Sequence, residues 1–223
     1  MRVSKPDEVV AGVLMASGEF TLQAAERLVP VGEAGLVAGC RRGDDRAFET
    51  LVALHERMVF GLAARLLGDP EEARDLAQDV FLQVFRTVGR FKGQSSLRTW
   101  IYRIVVNLCR NRHRFWKRRA RHRSCGLDEL TRAEELRLSQ PGIPSPFEAA
   151  RRSERARHVQ RALLSLKFDH RLVLVLREVE GLSCDEVAAT LGVAVGTVKS
   201  RLARARDAFR TALTADLEPE ASR

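Results

Sequence analysis

The sequence predicts an all-α protein made of two small helical domains joined by a flexible linker. Three observations predict it. Apolar residues recur at spacings of three and four over long stretches, the period of a helix with one buried face. Runs of β-branched residues are short, and the 15 glycines and 7 prolines of the 223 residues are sparse except in a few places, which leaves little from which to build strands and tight hairpins. The segment Ser139-Gln-Pro-Gly-Ile-Pro-Ser-Pro146 cannot be a helix interior, because each proline removes a backbone donor and clashes with the preceding turn. It separates two helical stretches, each long enough to bury a core of its own.

Residues 1–34 give little periodicity. Val9, Val10, Val13 and Leu14 could form a short helix and Leu22 to Val29 another, but Gly12, Gly18 and Pro30 interrupt them. A mobile N-terminal extension is expected. The first domain is expected over residues 35–119. Asp44 or Asp45 can cap a helix whose inner face holds Phe48, Leu51, Val52, His55, Val59, Leu62, Ala63 and Leu66, with Gly68 at its end. Asp69-Pro70-Glu71-Glu72 restarts a helix: a capping aspartate, proline in the first turn, and acids against the positive helix end. Its inner stripe is Ala73, Leu76, Ala77, Val80, Phe81, Val84 and Val88, and its outer side shows Glu72, Asp75, Gln78, Asp79 and Gln83. Asp75 and Asp79 are like charges one turn apart, which weakens an isolated helix by a few tenths of a kcal/mol.

A polar loop, Phe91-Lys92-Gly93-Gln94-Ser95-Ser96, leads into a long helix capped by Ser95 or Ser96. Leu97, Ile101, Ile104, Val105 and Leu108 are expected to point inward, with Arg103, Asn107, Arg110, Asn111, Arg114 and Arg118 along an outer face. Trp100 and Tyr102 are expected beside the loop. Basic and amide side chains interleaved with aromatics fit a phosphate track beside a platform for stacked, unpaired bases; the competing reading of Trp100 is an ordinary core residue. A linker is expected over 120–148 and a second domain over 149–217, with a six-residue tail. That domain opens with helices over about 148–166 and 169–179. Ser183 and Glu186 then form an S-x-x-E capping box, Gly192 allows a sharp turn, and a second helix carries Val198, Leu202, Ala205 and Phe209 as one buried stripe. Its other faces show Thr197, Lys199, Ser200, Arg201, Arg204 and Arg206. This is a helix-turn-helix whose second helix has the basic, polar character of one that lies in a major groove. The bland alternative is a helical hairpin with a solvated charged face.

Charge is unevenly placed. The net charge is +9, yet residues 44–80 carry nine acids and four bases, whereas residues 86–123 carry thirteen Arg or Lys and no acid. Neighbouring surfaces of opposite sign imply two different partners, one of them polyanionic. No apolar run approaches the ~20 residues that span a bilayer. Residues 2–16 mimic a signal peptide, but Asp7 and Glu8 stand where such a peptide is basic. Cys40, Cys109, Cys125 and Cys184 are widely spaced with no C-x-x-C, which fits a reduced, cytoplasmic protein. Cys109, His113, His122 and Cys125 match no standard zinc spacing. No metal site, cofactor loop or nucleophile–base pairing is visible, so no enzyme activity is expected.

Several of these motifs together resemble bacterial RNA polymerase sigma factors of the sigma-70 family, in particular the compact extracytoplasmic-function (ECF) group. GLSCDEVAATLGVAVGTVKSRLARAR is similar to the promoter −35 reading motif of region 4. DPEEARDLAQDVF followed by FKGQSSLRTWIYRIVVNLCRNRHR is similar to the region 2 signature. The resemblance spans about residues 35–213. It implies a region 2 bundle and a region 4 helix-turn-helix, and promoter-specific initiation by reading −35 and −10 elements and helping to melt the DNA. It also assigns candidate sites. Asp75, Leu76, Gln78, Asp79 and Phe81 match the segment that docks on the clamp helices of the polymerase largest subunit. Lys92, Ser95, Ser96, Arg98 and Trp100 match the part that captures an unstacked −10 base. Arg103, Asn107, Arg110, Asn111 and Arg114 match the face that meets −10 DNA, and Thr197, Lys199, Ser200, Arg201 and Arg204 the −35 recognition helix. Core polymerase, including its flap, promoter DNA and an anti-sigma factor are the implied partners, and no membrane insertion is implied.

Two departures from the family pattern stand out. Val193-Ala194-Val195 opens the recognition helix where the family often has a polar cap, a loss of about 1 kcal/mol. Leu166-Lys167-Phe168 replaces a common Leu-Pro, leaving Asp169 as the expected cap. A free-standing helix-turn-helix regulator is the rival reading, and it leaves the basic helix after the FKGQSSLRTW loop unexplained. A single-strand-binding protein that uses the basic helix alone would leave the helix-turn-helix idle.

Overall fold

The structure, a computed structural model, describes residues 32–122 and 146–217. The expectations for residues 1–31, most of the linker with Cys125, and the tail lie outside the described residues. Among those described, every regular element is helical: α1 (Glu33–Arg41), α2 (Asp45–Leu67), α3 (Pro70–Thr87), a 3-10 turn (Val88–Arg90), α4 (Leu97–His122), α5 (Pro146–Ser165), α6 (Phe168–Leu174) running into a π turn (Val175–Val179), α7 (Cys184–Leu191) and α8 (Val195–Leu217). They divide into two compact units, residues 32–63 with 73–112, and residues 64–72 with 113–122 and 146–217.

The starts of α2 and α3 are written locally. Asp44 accepts from the Arg46 N–H at 3.0 Å, ahead of α2. Asp69 accepts from the N–H groups of Glu71 and Glu72 at 2.9 and 3.3 Å, with Pro70 as the first residue of α3. Each carboxylate satisfies donors that have no partner within the helix. Ala73, Leu76, Ala77, Val80, Phe81 and Val84 are buried, as their spacing requires, and the Phe48 ring meets Phe85 edge-on at 4.9 Å.

The inner face of α4 differs from the expected stripe. Leu97, Ile101 and Val105 are buried, but so are Tyr102, Val106 and Cys109, while Ile104 and Leu108 are only half-buried. The helix is rotated so that Tyr102 faces the core and not the loop, and its hydroxyl accepts from Arg98 Nε at 2.9 Å. A buried phenol keeps a partner for its polar end this way.

In the second unit α8 packs against α5, α6 and α7. Pro146 opens α5, a position where a missing N–H costs nothing. Arg171 is buried, and burial holds its guanidinium down at about 10. It donates to the carbonyls of Leu163, Leu164 and Leu166 at 2.9, 2.6 and 3.3 Å, closing the C-terminal end of α5. The residue at the cap position of α6 is Lys167, with no side-chain hydrogen bond, and Asp169 is not the cap but an acid in the first turn. The favourable interaction of that acid with the helix N-terminus takes the place of capping.

Candidate nucleic-acid interface

The helix-turn-helix is built from local chemistry. Ser183 Oγ accepts from the Glu186 N–H at 3.1 Å and the Glu186 carboxylate accepts from the Ser183 N–H at 2.8 Å, so the capping box is complete. α7 ends at Gly192 with φ 68° and ψ 39°, the left-handed region, and the Val193 N–H returns to the Ala188 carbonyl at 3.1 Å. α8 then starts at Val195, and the N–H groups of Thr197 and Val198 bond back to Ala194. Val198, Leu202 and Ala205 are buried and Phe209 is half-buried. That turns Lys199, Ser200 and Arg204 fully outward, with Thr197 and Arg201 half-exposed beside them. Ser200 donates to the Thr197 carbonyl at 3.1 Å. Arg206 is held by Glu178 of the π turn at 2.5 Å, an exposed ion pair on α8.

The loop and α4 form a second basic surface. Lys92, Ser96 and Arg98 are exposed and Ser95 is half-buried. Ser96 is the cap, accepting from the Thr99 N–H at 3.1 Å. Trp100 is half-buried, its ring tilted 51° against Phe91 at 5.4 Å, so it leans on the base of the loop. Farther along α4, Asn107, Asn111 and Arg114 are exposed and Arg103 and Arg110 half-exposed on one face.

On α3 the exposed side chains of the acidic patch are Asp75, Gln78 and Asp79, whereas Leu76 and Phe81 are buried. The two apolar residues hold the helix to its core and the three polar ones form its outer surface. Asp79 also receives Arg112 of α4 at 3.2 Å, an ion pair that no local pattern in the sequence signals.

Two further residues escaped the sequence reading. Glu33 of α1, two residues ahead of the expected domain start, accepts from the Leu97 N–H at 2.7 Å. Arg41, at the other end of α1, donates to the Phe91 carbonyl. Both partners flank the polar loop, 64 and 50 residues away in sequence, and contacts of that range leave no periodicity to read.

Residues 51–121 match the family model for sigma-70 region 2, and residues 156–209 match that for sigma-70 region 4. The chain is 38% identical over 178 residues to the RNA polymerase sigma-H factor of Pseudomonas aeruginosa, covering 80% of this chain and 92% of that one. It is 34% identical over 186 residues to the ECF RNA polymerase sigma-E factor of Escherichia coli K12, with 78% and 90% covered. Among solved structures it is similar to CnrH in complex with the cytosolic domain of CnrY, at 30% identity, 83% and 99% coverage and a TM-score of 0.57. The fold also matches that of the sigma factor RpoE of Bartonella quintana in complex with the anti-sigma factor NepR, at 24% identity, 77% and 99% coverage and a TM-score of 0.60. With region 2 and region 4 both matched and relatives covered nearly end to end, the chain belongs to the sigma-70 family of RNA polymerase sigma factors, in its ECF group.

Proposed function

We propose that this sigma factor binds core polymerase through the outer face of α3 and reads a promoter at two places, the −35 element with α8 and the −10 element with the 92–96 loop and α4. The domain assignment is region 2 over 35–119, a linker over 120–148 and region 4 over 149–217. One observation carries the reading: every exposed charged residue of α4 and its loop is basic, with amides between them and no acid, while α3 beside them exposes Asp75, Gln78 and Asp79. A free operator-binding regulator has no use for the second basic surface or the acidic one.

The parts then act in sequence. Thr197, Lys199, Ser200, Arg201 and Arg204 meet duplex DNA, where charged groups position the helix on phosphates and polar groups read base edges. Arg103, Asn107, Arg110, Asn111 and Arg114 follow the backbone of the −10 region. Lys92, Ser95, Ser96 and Arg98 receive the displaced strand, and Trp100 supplies a stacking face. Opening costs on the order of 1–2 kcal/mol per base-pair step, and stacking of about 1–3 kcal/mol per base helps to recover it. Asp75 and Asp79 present the charge for a basic clamp and Gln78 an amide between them, with Leu76 and Phe81 fixing the helix that carries them. The protein directs an enzyme without being one, works in the cytoplasm where the polymerase works, and is held in check by an anti-sigma factor. Among the described residues no helix is long and apolar enough to cross a membrane.

The test is transcription with purified bacterial core polymerase on a library of upstream regions, with and without the protein. Discrete starts that need the protein support the reading, and aligning them yields the two elements. Arg201→Ala with Arg204→Ala should cut use of those starts by roughly 30-fold or more, at about 1–3 kcal/mol per contact. Asp75→Lys with Asp79→Lys should abolish core binding. Binding to core that survives this reversal overturns the docking assignment.

A further inference from the structure

The polar loop is held at both ends by one helix that lies outside the region 2 match. Arg41 reaches the carbonyl of Phe91, where the loop begins, and Glu33 reaches the N–H of Leu97, the first residue after it. The two side chains sit eight residues apart on α1, about 12 Å along the helix axis. α1 also packs on the 3-10 turn that leads into Phe91.

α1 is a firm support. Leu36, Val37 and Gly39 are buried. A Cβ at Gly39 would come within 2.6 Å of the Ala47 Cβ, so α1 lies almost in backbone contact with the start of α2. Glu33 and Arg41 themselves are exposed and add no apolar burial to this seat. The groups they hold are backbone groups at the two ends of the loop, on residues whose own side chains are buried.

Both contacts also bear on Trp100. Glu33 satisfies the Leu97 N–H and Ser96 the Thr99 N–H, two of the four orphan donors at the start of α4. The anion stands at the positive end of the helix, where it is stabilised. The first helical bond of α4 is the one from Trp100 N–H to the Ser96 carbonyl at 3.0 Å. On the other side, fixing the Phe91 backbone fixes the ring on which Trp100 leans. A loop held at both ends and carrying its aromatic in place binds without first having to be ordered.

We propose that α1 is a two-point clamp on the strand-capturing loop, with Glu33 and Arg41 as positioning residues for promoter opening. The proposal rests on the reading of Lys92–Ser96 and Trp100 as the strand-capturing element. It predicts that releasing either end slows opening and blurs −10 discrimination, with no change in the grip on core polymerase or on the −35 duplex.

The test uses holoenzyme assembled from the full chain and purified core, on the strongest promoter found in the transcription experiment. Strand opening is followed at the −10 region, alongside core affinity and binding of a −35 duplex. Glu33→Ala and Arg41→Ala should each slow opening about fivefold, the size of a lost helix cap. Each should also reduce the preference for the cognate −10 sequence over a single-base variant. Glu33→Gln, which keeps an acceptor for the Leu97 N–H, should recover most of the rate. Trp100→Ala is the control for the underlying reading. If Trp100→Ala blocks opening while both α1 variants open at the parental rate, the clamp is overturned and the loop assignment survives. If Trp100→Ala opens normally, the loop assignment fails and the clamp with it. If the α1 variants lose core affinity and −35 binding in step with opening, their effect is general destabilisation and the clamp is overturned.

Discussion

α4 and α8 are both basic helices, the two proposed to meet DNA, and they are held at their starts in opposite ways. The start of α8 is fixed from within fifteen residues: a capping box at Ser183, a left-handed residue at Gly192, and backbone returns to Ala188 and Ala194. The start of α4 is fixed partly by Ser96 and partly by Glu33, 64 residues away. A helix-turn-helix therefore carries its own geometry wherever it is mounted. The loop before α4 borrows its geometry from another helix, which makes it adjustable by changes that never touch DNA.

That contrast predicts where substitutions hurt and how much. The largest effect belongs to the core under the acidic patch. Phe81 is fully buried, and Phe81→Ala should cost about 3–5 kcal/mol through lost burial and the cavity left behind. Chemical denaturation measures it, and a loss below about 1 kcal/mol would mean that α3 is not seated as described. Next comes the turn of the helix-turn-helix. Gly192→Val forces a β-branched residue to φ 68°, a cost of about 1–2 kcal/mol, and re-aims α8. Binding of a −35 duplex by the holoenzyme should fall while affinity for core stays. If the two fall together, α8 is not separately positioned. Ser183→Ala should cost about 1 kcal/mol, with Ser183→Asp recovering most of it, as read from thermal unfolding.

The same contrast explains what could be read in the sequence. The capping box, Asp44, Asp69 and Gly192 are each local signals, and the structure uses every one of them. The buried stripes of α3 and α8 follow their 3.6-residue spacing for the same reason. Tyr102 was legible as an aromatic near the loop but not as a core residue, because α4 has apolar residues around more than half its circumference and their spacing does not say which arc faces in. Glu33, Arg41 and the Asp79–Arg112 pair were not legible. Each joins elements through tertiary contact, and a single chain carries no pattern for that. The assignment of α8 to duplex DNA came from the basic face opposite its buried stripe, whereas Leu76 and Phe81, expected in the docking segment, turned out to support the surface from beneath.

The smallest expected effect is one of pH, and it again separates the two regions. His55 lies in α2, half-buried, and burial holds its pKa below the ordinary 6.5; the Glu33 carboxylate pulls it back up and the Arg98 guanidinium pushes it further down. The folded protein thus keeps His55 neutral at pH values where the unfolded chain takes up a proton. Its contribution to stability is complete above about pH 6.5 and is lost as pH falls through the folded value. His113 is depressed in the same direction, also mainly by burial, so His55→Asn should flatten the acid limb of the stability curve without abolishing it. Glu33→Ala removes the one charge that favours protonated His55 and should steepen that limb. Residues 183–217, the helix-turn-helix, contain no histidine, so Ser183→Ala should shift the whole curve without changing its slope between pH 7 and 5. Superimposable curves for the parent and His55→Asn would mean that His55 is not buried beside the clamp.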